Sequence, residues 1–141
     1  MEIAMDADRL NAFLAADFPQ IADTYTVRSV TRDKLVARLQ VGDHHLRPGG
    51  TVSGPSIFAL ADVAIYCAIL SRIGPVALAV TVNASIDFMR KPAAGQDLLA
   101  ECRILKLGRS LAVAEALIFS EGSTEAVARC AMTYSIPPKR P

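Results

Sequence analysis

The stretch SGPSIFALADVAIYCAILSRIG, residues 53–74, decides the fold of this chain. Ser53 is a residue type that is strongly preferred at a helix N-cap, and Pro55 stands in the first turn, where a missing N–H costs little. Gly74 ends the segment. Between these ends the side chains are apolar around nearly the whole helix circumference. The pattern predicts a helix over 54–72 that is buried on all sides by a surrounding sheet.

Runs of strand-forming residues flank this helix on both sides and predict an antiparallel sheet, so the fold class is α+β. In 76–89 the even positions are mostly apolar, whereas the odd positions include Thr81 and Asn83. Turns at Gly108 and Gly122 predict that the last four strands form a meander. The predicted elements are a covering helix at 6–18, strands at 24–31 and 34–41, a glycine-containing loop at 42–53, the long helix, and strands at 76–89, 97–107, 110–120 and 124–136.

The composition favours one domain, residues 1–141, that associates with copies of itself. Hydrophobic residues make up 52% of the chain and charged residues 21%, which argues against disorder and suggests that surface is buried between subunits. Lys and Arg number 15 against 14 acidic residues, so the chain has no strong field for nucleic acid or an anionic membrane. We therefore expect a homo-oligomer without a nucleic-acid partner.

The cysteines and the apolar segments predict a cytoplasmic protein. Cys67, Cys102 and Cys130 lie in apolar stretches and form no C-x-x-C pair, so we expect reduced, buried thiols rather than disulfides or a zinc site. The N-terminus lacks the basic start and apolar core of a signal peptide. The longest apolar run, 57–70, is shorter than the roughly 20 residues that span a bilayer, so no membrane partner is expected.

Asp62 is the only charged side chain of the long helix before Arg72. The residues three and four positions away offer no counter-charge. A carboxylate that is partly removed from water without a cation is rare unless it has a specific role, and it suits a general base or a nucleophile. The alternative is a structural acid that bonds to the backbone or to a hydroxyl of a neighbouring strand.

The N-terminus of the same helix provides a second candidate feature, Gly54. A helix start presents unpaired N–H groups and the positive end of the dipole, and glycine leaves the backbone open, so this end could hold an oxyanion. Gly54 and Asp62 are eight positions apart, or roughly 12 Å along the axis, so one carbonyl cannot touch both. If a second helix ran antiparallel alongside, a two-fold dimer would contain two complete sites, which predicts a shared site.

Three segments carry a family resemblance: GGTVSGPSIFALAD at 49–62, VTVNASIDFMRKP at 80–92 and LKLGRSLAVAEALIFSEG at 105–122. They resemble the phenylacetate-pathway type of hotdog acyl-CoA thioesterases, over a match from about Arg47 to the C-terminus. The resemblance implies a hotdog fold, hydrolysis of acyl-CoA thioesters without a cofactor, and assembly as a dimer or a dimer of dimers.

The resemblance also implies roles for three catalytic residues. Asp62 matches the family's acid, which activates water or attacks the thioester carbonyl. Gly54 matches the glycine whose backbone N–H holds the oxyanion from the other subunit. Thr81 matches a hydroxyl on the next strand that acts across the dimer.

A further set of polar residues is assigned to substrate binding. Arg47 and Ser53 stand where the family usually has Asn and His, and Pro55 replaces a glycine. The family places CoA phosphate and pantetheine contacts at the strand end before Pro92 and in the tight turn after 105–107. Ser53 could instead be only a helix cap, and the cations could be ordinary surface residues. The assigned residues are Arg47, Ser53, Asn83, Arg90, Lys91, Gly108 and Arg109.

Two alternatives to hydrolysis remain open. The missing family Asn and His are also consistent with a non-catalytic acyl-CoA-binding protein. The same fold could hydrate or dehydrate an acyl thioester, although that chemistry normally needs a positioned histidine. His44 and His45 are adjacent in a loop without a third ligand, so we expect solvated loop residues and no metal site.

Overall fold

The computed structural model describes residues 2–138, in which one long helix is wrapped by a six-stranded antiparallel sheet. This architecture confirms the predicted α+β hotdog fold. The helices α1, α2 and α3 span Ala7–Asp17, Pro19–Ala22 and Gly54–Ile73, with a 3-10 turn at Asp43–His45. The strands β1 to β6 span Tyr25–Val30, Leu35–Leu39, Val80–Phe88, Leu98–Leu107, Leu111–Ser120 and Ala126–Ser135.

Helix α3 begins and ends close to where the sequence predicts. The Ser53 side chain caps it by accepting a hydrogen bond from the Ser56 N–H at 3.3 Å. At the other end Gly74 has a φ of 93°, a conformation that favours glycine, and its N–H donates to the Leu70 carbonyl at 2.9 Å.

The length and apolarity of α3 would suffice to cross a membrane, since it has 20 residues and a mean hydropathy of 1.7. The helix is longer than the apolar run at 57–70, because it also includes the first turn from Gly54 and the last residues Ser71, Arg72 and Ile73. However, 61% of the most apolar 18-residue stretch of this helix is buried inside the fold, as is typical of a core helix. The fold therefore buries most of the apolar surface of this helix.

One stripe of α3 is not covered by the sheet. Pro55 is exposed, and Ala59, Asp62 and Val63 are only half-buried. The spacing of three to four residues places them on one side of the helix. The prediction that α3 is buried on all sides is therefore wrong for this side within a single chain. The rest of the helix is largely enclosed, and its fully buried residues include Leu60, Ala64, Ile65, Ile69 and Leu70.

The strand order is β1-β2-β4-β5-β6-β3. The tight turns at Gly108 and Gly122 join β4, β5 and β6 into a meander, as predicted. Strand β3, however, pairs with β6 at the edge of the sheet rather than with β4. The predicted four-stranded meander is wrong here because segment 89–97, with Pro92 and Gly95, is long enough to carry the chain past its neighbour. One edge of β3 is left unpaired within residues 2–138.

Strand β3 starts later than predicted and contains a bulge. Residues 76–79 form a turn instead, closed by a 3.2 Å hydrogen bond from the Ala79 N–H to the Val76 carbonyl, because the chain must reverse direction after α3. Thr81 pairs with Tyr134 but Asn83 pairs with Thr133, so Val82 is an extra residue. The bulge resets the alternation and breaks the predicted row of polar odd positions.

The N-terminal part follows the prediction closely. The Asp6 carboxylate caps α1 by accepting from the Arg9 N–H at 2.9 Å, and the helix buries Leu10, Phe13 and Leu14. Strands β1 and β2 form the expected antiparallel hairpin. Because Pro19 opens α2 instead of ending helical structure, the chain continues for one more short helix before β1.

Candidate active site

The Asp62 carboxylate is held by two hydroxyl groups. Thr81 Oγ1 donates to Asp62 Oδ1 at 2.6 Å, and the Tyr134 hydroxyl donates to the same oxygen at 2.5 Å. Both groups are donors, and hydrogen bonds to a carboxylate are stronger than those between neutral groups. The structure thus brings two of the predicted catalytic residues, Asp62 and Thr81, into contact. The contact lies within one chain, whereas the resemblance placed the hydroxyl across the dimer.

A cavity of about 320 Å³ opens beside this carboxylate. Asp62 is the only charged group in its lining, so any molecule that enters meets apolar walls and one acid. These walls can accept an apolar group next to the acid. The lining includes Phe18, Val63, Tyr66, Ala79 and Val80, together with Thr81 and Tyr134.

The first turn of α3 has one free N–H group. Pro55 has no N–H, the Ser56 N–H is capped by Ser53, and the Ile57 N–H donates to the Ser53 carbonyl at 3.0 Å. Among the groups of this turn, only the Gly54 N–H has no acceptor within the described part of the chain. A helix N-terminus with an unpaired N–H favours a negatively charged oxygen. Gly54 is therefore a suitable oxyanion donor.

A second cavity, of about 400 Å³, lies at this end of α3. It brings together four of the predicted residues, Arg47, Gly54, Arg90 and Lys91, beside the ring of Phe88. It shares no lining residue with the Asp62 cavity. The two candidate catalytic features of one chain are thus in separate cavities.

The cations of the second cavity are not equivalent. Arg90 Nη1 donates to Glu125 Oε2 at 2.6 Å, and its Nε donates to the Ala126 carbonyl at 2.9 Å, so its guanidinium is already engaged. Arg47 and Lys91 form no ion pair with any residue between 2 and 138. They are therefore better placed than Arg90 to meet an added anion.

Gly108 and Arg109 lie at the opposite end of α3. They line a third cavity, of about 990 Å³, together with Arg72, Val76 and Ile136. The cations that the resemblance assigned to CoA thus fall into two regions of one chain. A single ligand molecule on an isolated chain has no common cavity in which to touch both regions.

Two of the residues assigned to substrate binding, Ser53 and Asn83, lie away from the Asp62 cavity. Ser53 caps the helix and donates its hydroxyl proton to Ser56 Oγ at 3.0 Å, which supports the cap alternative. Asn83 is exposed and, because of the bulge, projects to the face opposite Thr81. Neither residue lines the Asp62 cavity.

Tyr134 is not among the site residues predicted from the sequence. Its hydroxyl contacts Asp62, yet the residue is 72 positions away in the sequence and belongs to no recognisable motif. Burial, followed by the hydrogen bond to Asp62 and its charge, raises the pKa of Tyr134 well above the ordinary value. The phenol therefore stays protonated and remains a donor. Only the pairing of Tyr134 with Thr81 could have revealed this contact.

The three cysteines are free and buried, as predicted. Burial raises the pKa of Cys67 to about 12. Burial, and then the charge of Asp62, raises the pKa of Cys130 to about 11. Since the thiolate is the reactive form of cysteine, these neutral thiols are not competing nucleophiles.

His45 is buried rather than solvated, with 6% of its surface exposed, so that expectation was wrong for this residue. Its Nδ1 accepts a hydrogen bond from the Gly42 N–H at 2.8 Å, and its carbonyl accepts from the Ser53 N–H at 2.8 Å. Burial, followed by the nearby His44, lowers the pKa of His45. Within residues 2–138, no group of three His, Cys, Asp or Glu residues is arranged to hold a metal ion.

Comparison with known proteins identifies the family. Residues 49–127 match the profile of the Thioesterase superfamily. The chain is 30% identical over 109 residues to a Pseudomonas aeruginosa protein to which esterase activity is attributed, covering 77% of this chain and 81% of that protein. It is 26% identical over 106 residues to mouse acyl-coenzyme A thioesterase 13, covering 72% of each.

Solved structures agree with this family. A Silicibacter protein of known crystal structure, to which thioesterase activity is attributed, is 56% identical to this chain. The two structures superpose with a TM-score of 0.91 over 98% of this chain and 96% of the Silicibacter chain. The phenylacetic acid degradation protein PaaI of Thermus thermophilus is 28% identical, with a TM-score of 0.72 over 84% of this chain and 99% of its own.

The chain therefore belongs to the thioesterase superfamily. The predictions of a thioester hydrolase with a hotdog fold and of a resemblance to PaaI are confirmed by these relatives.

Proposed function

We propose that the protein hydrolyses acyl-CoA thioesters at a site that two chains build together. One chain supplies Asp62 with Thr81, and the other supplies the Gly54 N–H and the cations beside it. The observation that carries this proposal is the separation of the two cavities. Within one chain, Asp62 and Gly54 are eight helical residues, or about 12 Å, apart, which is too far for one thioester carbonyl.

The exposed side of the molecule supports such a pairing. The uncovered stripe of α3 and the unpaired edge of β3 both lack cover within the described residues. Val80, Val82 and Phe88 of β3 are 54%, 56% and 54% exposed. An open edge with apolar side chains favours association, and a second copy related by two-fold symmetry would cover both features at once. The family resemblance supports a dimer or a dimer of dimers.

The proposed chemistry uses the carboxylate and the helix end in one step. As a general base, Asp62 takes a proton from water while the hydroxide oxygen bonds to the thioester carbon. The carbonyl oxygen becomes an oxyanion, which the partner subunit's Gly54 N–H stabilises. Collapse breaks the C–S bond and gives the free acid and CoA thiolate, which takes up the proton. If Asp62 acts as a nucleophile instead, water hydrolyses the resulting acyl anhydride and the products are the same.

The acyl-CoA substrate is inferred from two sources. The mouse relative is an acyl-coenzyme A thioesterase, and Arg47 and Lys91 offer unpaired cations beside Gly54 for the phosphates of CoA. Neither histidine lines either of the two catalytic cavities, which gives no support to the hydratase alternative. The buried free thiols also support the proposed cytoplasmic location.

The purified protein is expected to release free thiol from at least one member of a panel of acyl-CoA thioesters with short, medium, long and aromatic acyl groups. Release is measured with a thiol reagent, and binding of the same compounds is measured by calorimetry. Tight binding without release would support the non-catalytic alternative. Neither binding nor release for any compound would contradict the proposed substrate class.

Lys91→Ala is expected to raise KM for an acyl-CoA about 1.4- to fivefold, with little change in kcat, because an exposed charge pair contributes about 0.2–1 kcal/mol. The effect should shrink as salt is added. Arg103→Ala is a matched control, since Arg103 is an exposed cation on β4 that lines none of these cavities.

The same measurement on Arg109→Ala tests the other predicted region. A raised KM for both Lys91→Ala and Arg109→Ala would mean that CoA contacts both the cavity beside Gly54 and the cavity beside Arg109. If replacement of Arg90, Lys91 and Arg109 together leaves KM at the wild-type value, CoA binds elsewhere and this placement is wrong.

A further inference from the structure

Thr81 and Tyr134 are directly opposite each other on β3 and β6. Residues paired in this way in antiparallel strands project to the same face of the sheet. Here that face packs against α3, so the two hydroxyl groups approach Asp62 side by side. The bulge at Val82 allows Thr81 to face the helix although Asn83 faces away.

Both hydroxyl groups donate to the same carboxylate oxygen. Asp62 Oδ1 accepts from Thr81 Oγ1 at 2.6 Å and from the Tyr134 hydroxyl at 2.5 Å. One carboxylate oxygen can accept about two such bonds, so Oδ1 is saturated. Oδ2 receives no hydrogen bond from residues 2–138, and the carboxyl group lines the open cavity. The plane of the carboxylate is therefore fixed, with one oxygen engaged and the other free.

We propose that Tyr134 is a positioning residue for thioester hydrolysis. Together with Thr81 it holds Asp62 Oδ1 and leaves Oδ2 to meet the reacting water or the thioester carbon. This inference rests on the proposed function, because it requires Asp62 to be the reacting group. Tyr134 itself acts through Asp62 and needs no contact with the substrate.

The surroundings of Tyr134 suit this role. The side chain is 3% exposed, so water does not compete for its hydroxyl proton. Burial and the neighbouring Asp62 charge raise its pKa, which keeps the phenol a donor over the working pH range. The nearby thiol of Cys130 also stays neutral, since its pKa is raised to about 11. Tyr66 faces the same cavity but donates to the Ala77 carbonyl at 3.0 Å instead.

Tyr134→Phe removes the hydroxyl and keeps the ring that fills the space. We expect kcat to fall about 10- to 100-fold, with KM nearly unchanged, because a hydrogen bond to a charged group is lost. The acid limb of the pH profile of kcat/KM should move to higher pH, since the ionised carboxylate loses one of its two donors. Tyr25→Phe is the matched control, because it removes the hydroxyl of another buried tyrosine, on β1.

A second variant keeps the test decisive if Tyr134→Phe does not fold. Site-specific 3-fluorotyrosine at position 134 preserves the shape but is a stronger donor, so the acid limb should move to lower pH. The ¹³C chemical shift of the Asp62 carboxyl, titrated by NMR, gives the same comparison without turnover, and its midpoint should move in the same direction as the limb in each variant.

The inference is overturned if both substitutions leave kcat, the acid limb and the NMR midpoint as they are in Tyr25→Phe, even if the melting temperature falls. A wild-type protein that releases no thiol would instead contradict the proposed function. In that case the NMR titration still decides whether Tyr134 controls the ionisation of Asp62.

Discussion

Asp62→Asn is expected to lower the rate of thioester hydrolysis by at least about 10²- to 10⁴-fold, because the amide can neither take a proton from water nor attack the carbonyl carbon. The amide nearly matches the carboxyl group in size, and its oxygen can still accept from Thr81 and Tyr134. The fold and the binding of acyl-CoA should therefore survive. The rate and the melting temperature are measured on the same preparation.

Asp97→Asn is the matched control for this substitution. Asp97 is also a partly buried acid with hydrogen-bond partners, since it accepts from the Val41 N–H at 2.8 Å and pairs with Arg38. It lines neither catalytic cavity, so its loss should lower stability without lowering turnover per folded molecule. If Asp62→Asn behaves in the same way, Asp62 is a structural acid and our assignment of the reacting group is wrong.

Gly54→Pro is expected to lower kcat about 10²- to 10³-fold, the usual cost of removing one oxyanion donor. Proline removes the N–H but is favoured at the first position of a helix. The preceding Ser53 already has φ −72° and ψ 155°, the extended conformation that a residue before proline prefers. Helix α3 should therefore begin as before, which circular dichroism and the melting temperature can check.

Gly54→Ala separates the lost donor from the added bulk. Alanine keeps the N–H, and its Cβ would lie 3.4 Å from the Phe88 ring, an ordinary contact. We expect a much smaller fall in kcat than for proline. If the two substitutions reduce kcat equally, steric exclusion rather than a lost hydrogen bond explains the effect.

Mixing the Asp62→Asn and Gly54→Pro chains is expected to restore activity that neither variant has alone. In a mixed dimer, one site combines the intact Asp62 of one chain with the intact Gly54 of the other, while the second site carries both changes. Random exchange after mild denaturation and refolding should recover about a quarter of the wild-type activity. If the mixture stays as inactive as its components while subunit exchange is demonstrated, each chain contains its own complete site.

The features that the sequence predicted are those that local residue patterns determine. The boundaries of α3 follow from Ser53, Pro55 and Gly74, because caps and breakers act within one helical turn. Asp62 could be identified because a lone acid in an apolar helix is visible without knowledge of the fold. The separation of Asp62 from Gly54 followed from the rise of the helix alone.

The features that the sequence did not reveal depend on pairing between distant segments. The edge position of β3 results from the path of 89–97, and no local pattern encodes which strand it will join. The bulge at Val82 is a matter of register, and a one-residue shift reverses every later side chain. Tyr134 reaches Asp62 only through this register, so neither its role nor the outward position of Asn83 could be derived beforehand.

The placement of Asp62 and Gly54 in separate cavities has, for the shared site that we propose, a consequence for how activity depends on protein concentration. An enzyme whose active site needs residues from two chains is inactive while those chains are monomeric. At low protein concentration, where most chains are monomeric, the number of complete active sites then increases with the square of the concentration. Once most chains are dimeric, it increases in proportion to the concentration. The amount of protein synthesised would thus determine whether the enzyme is active at all as well as how much activity is present, without a separate inhibitor.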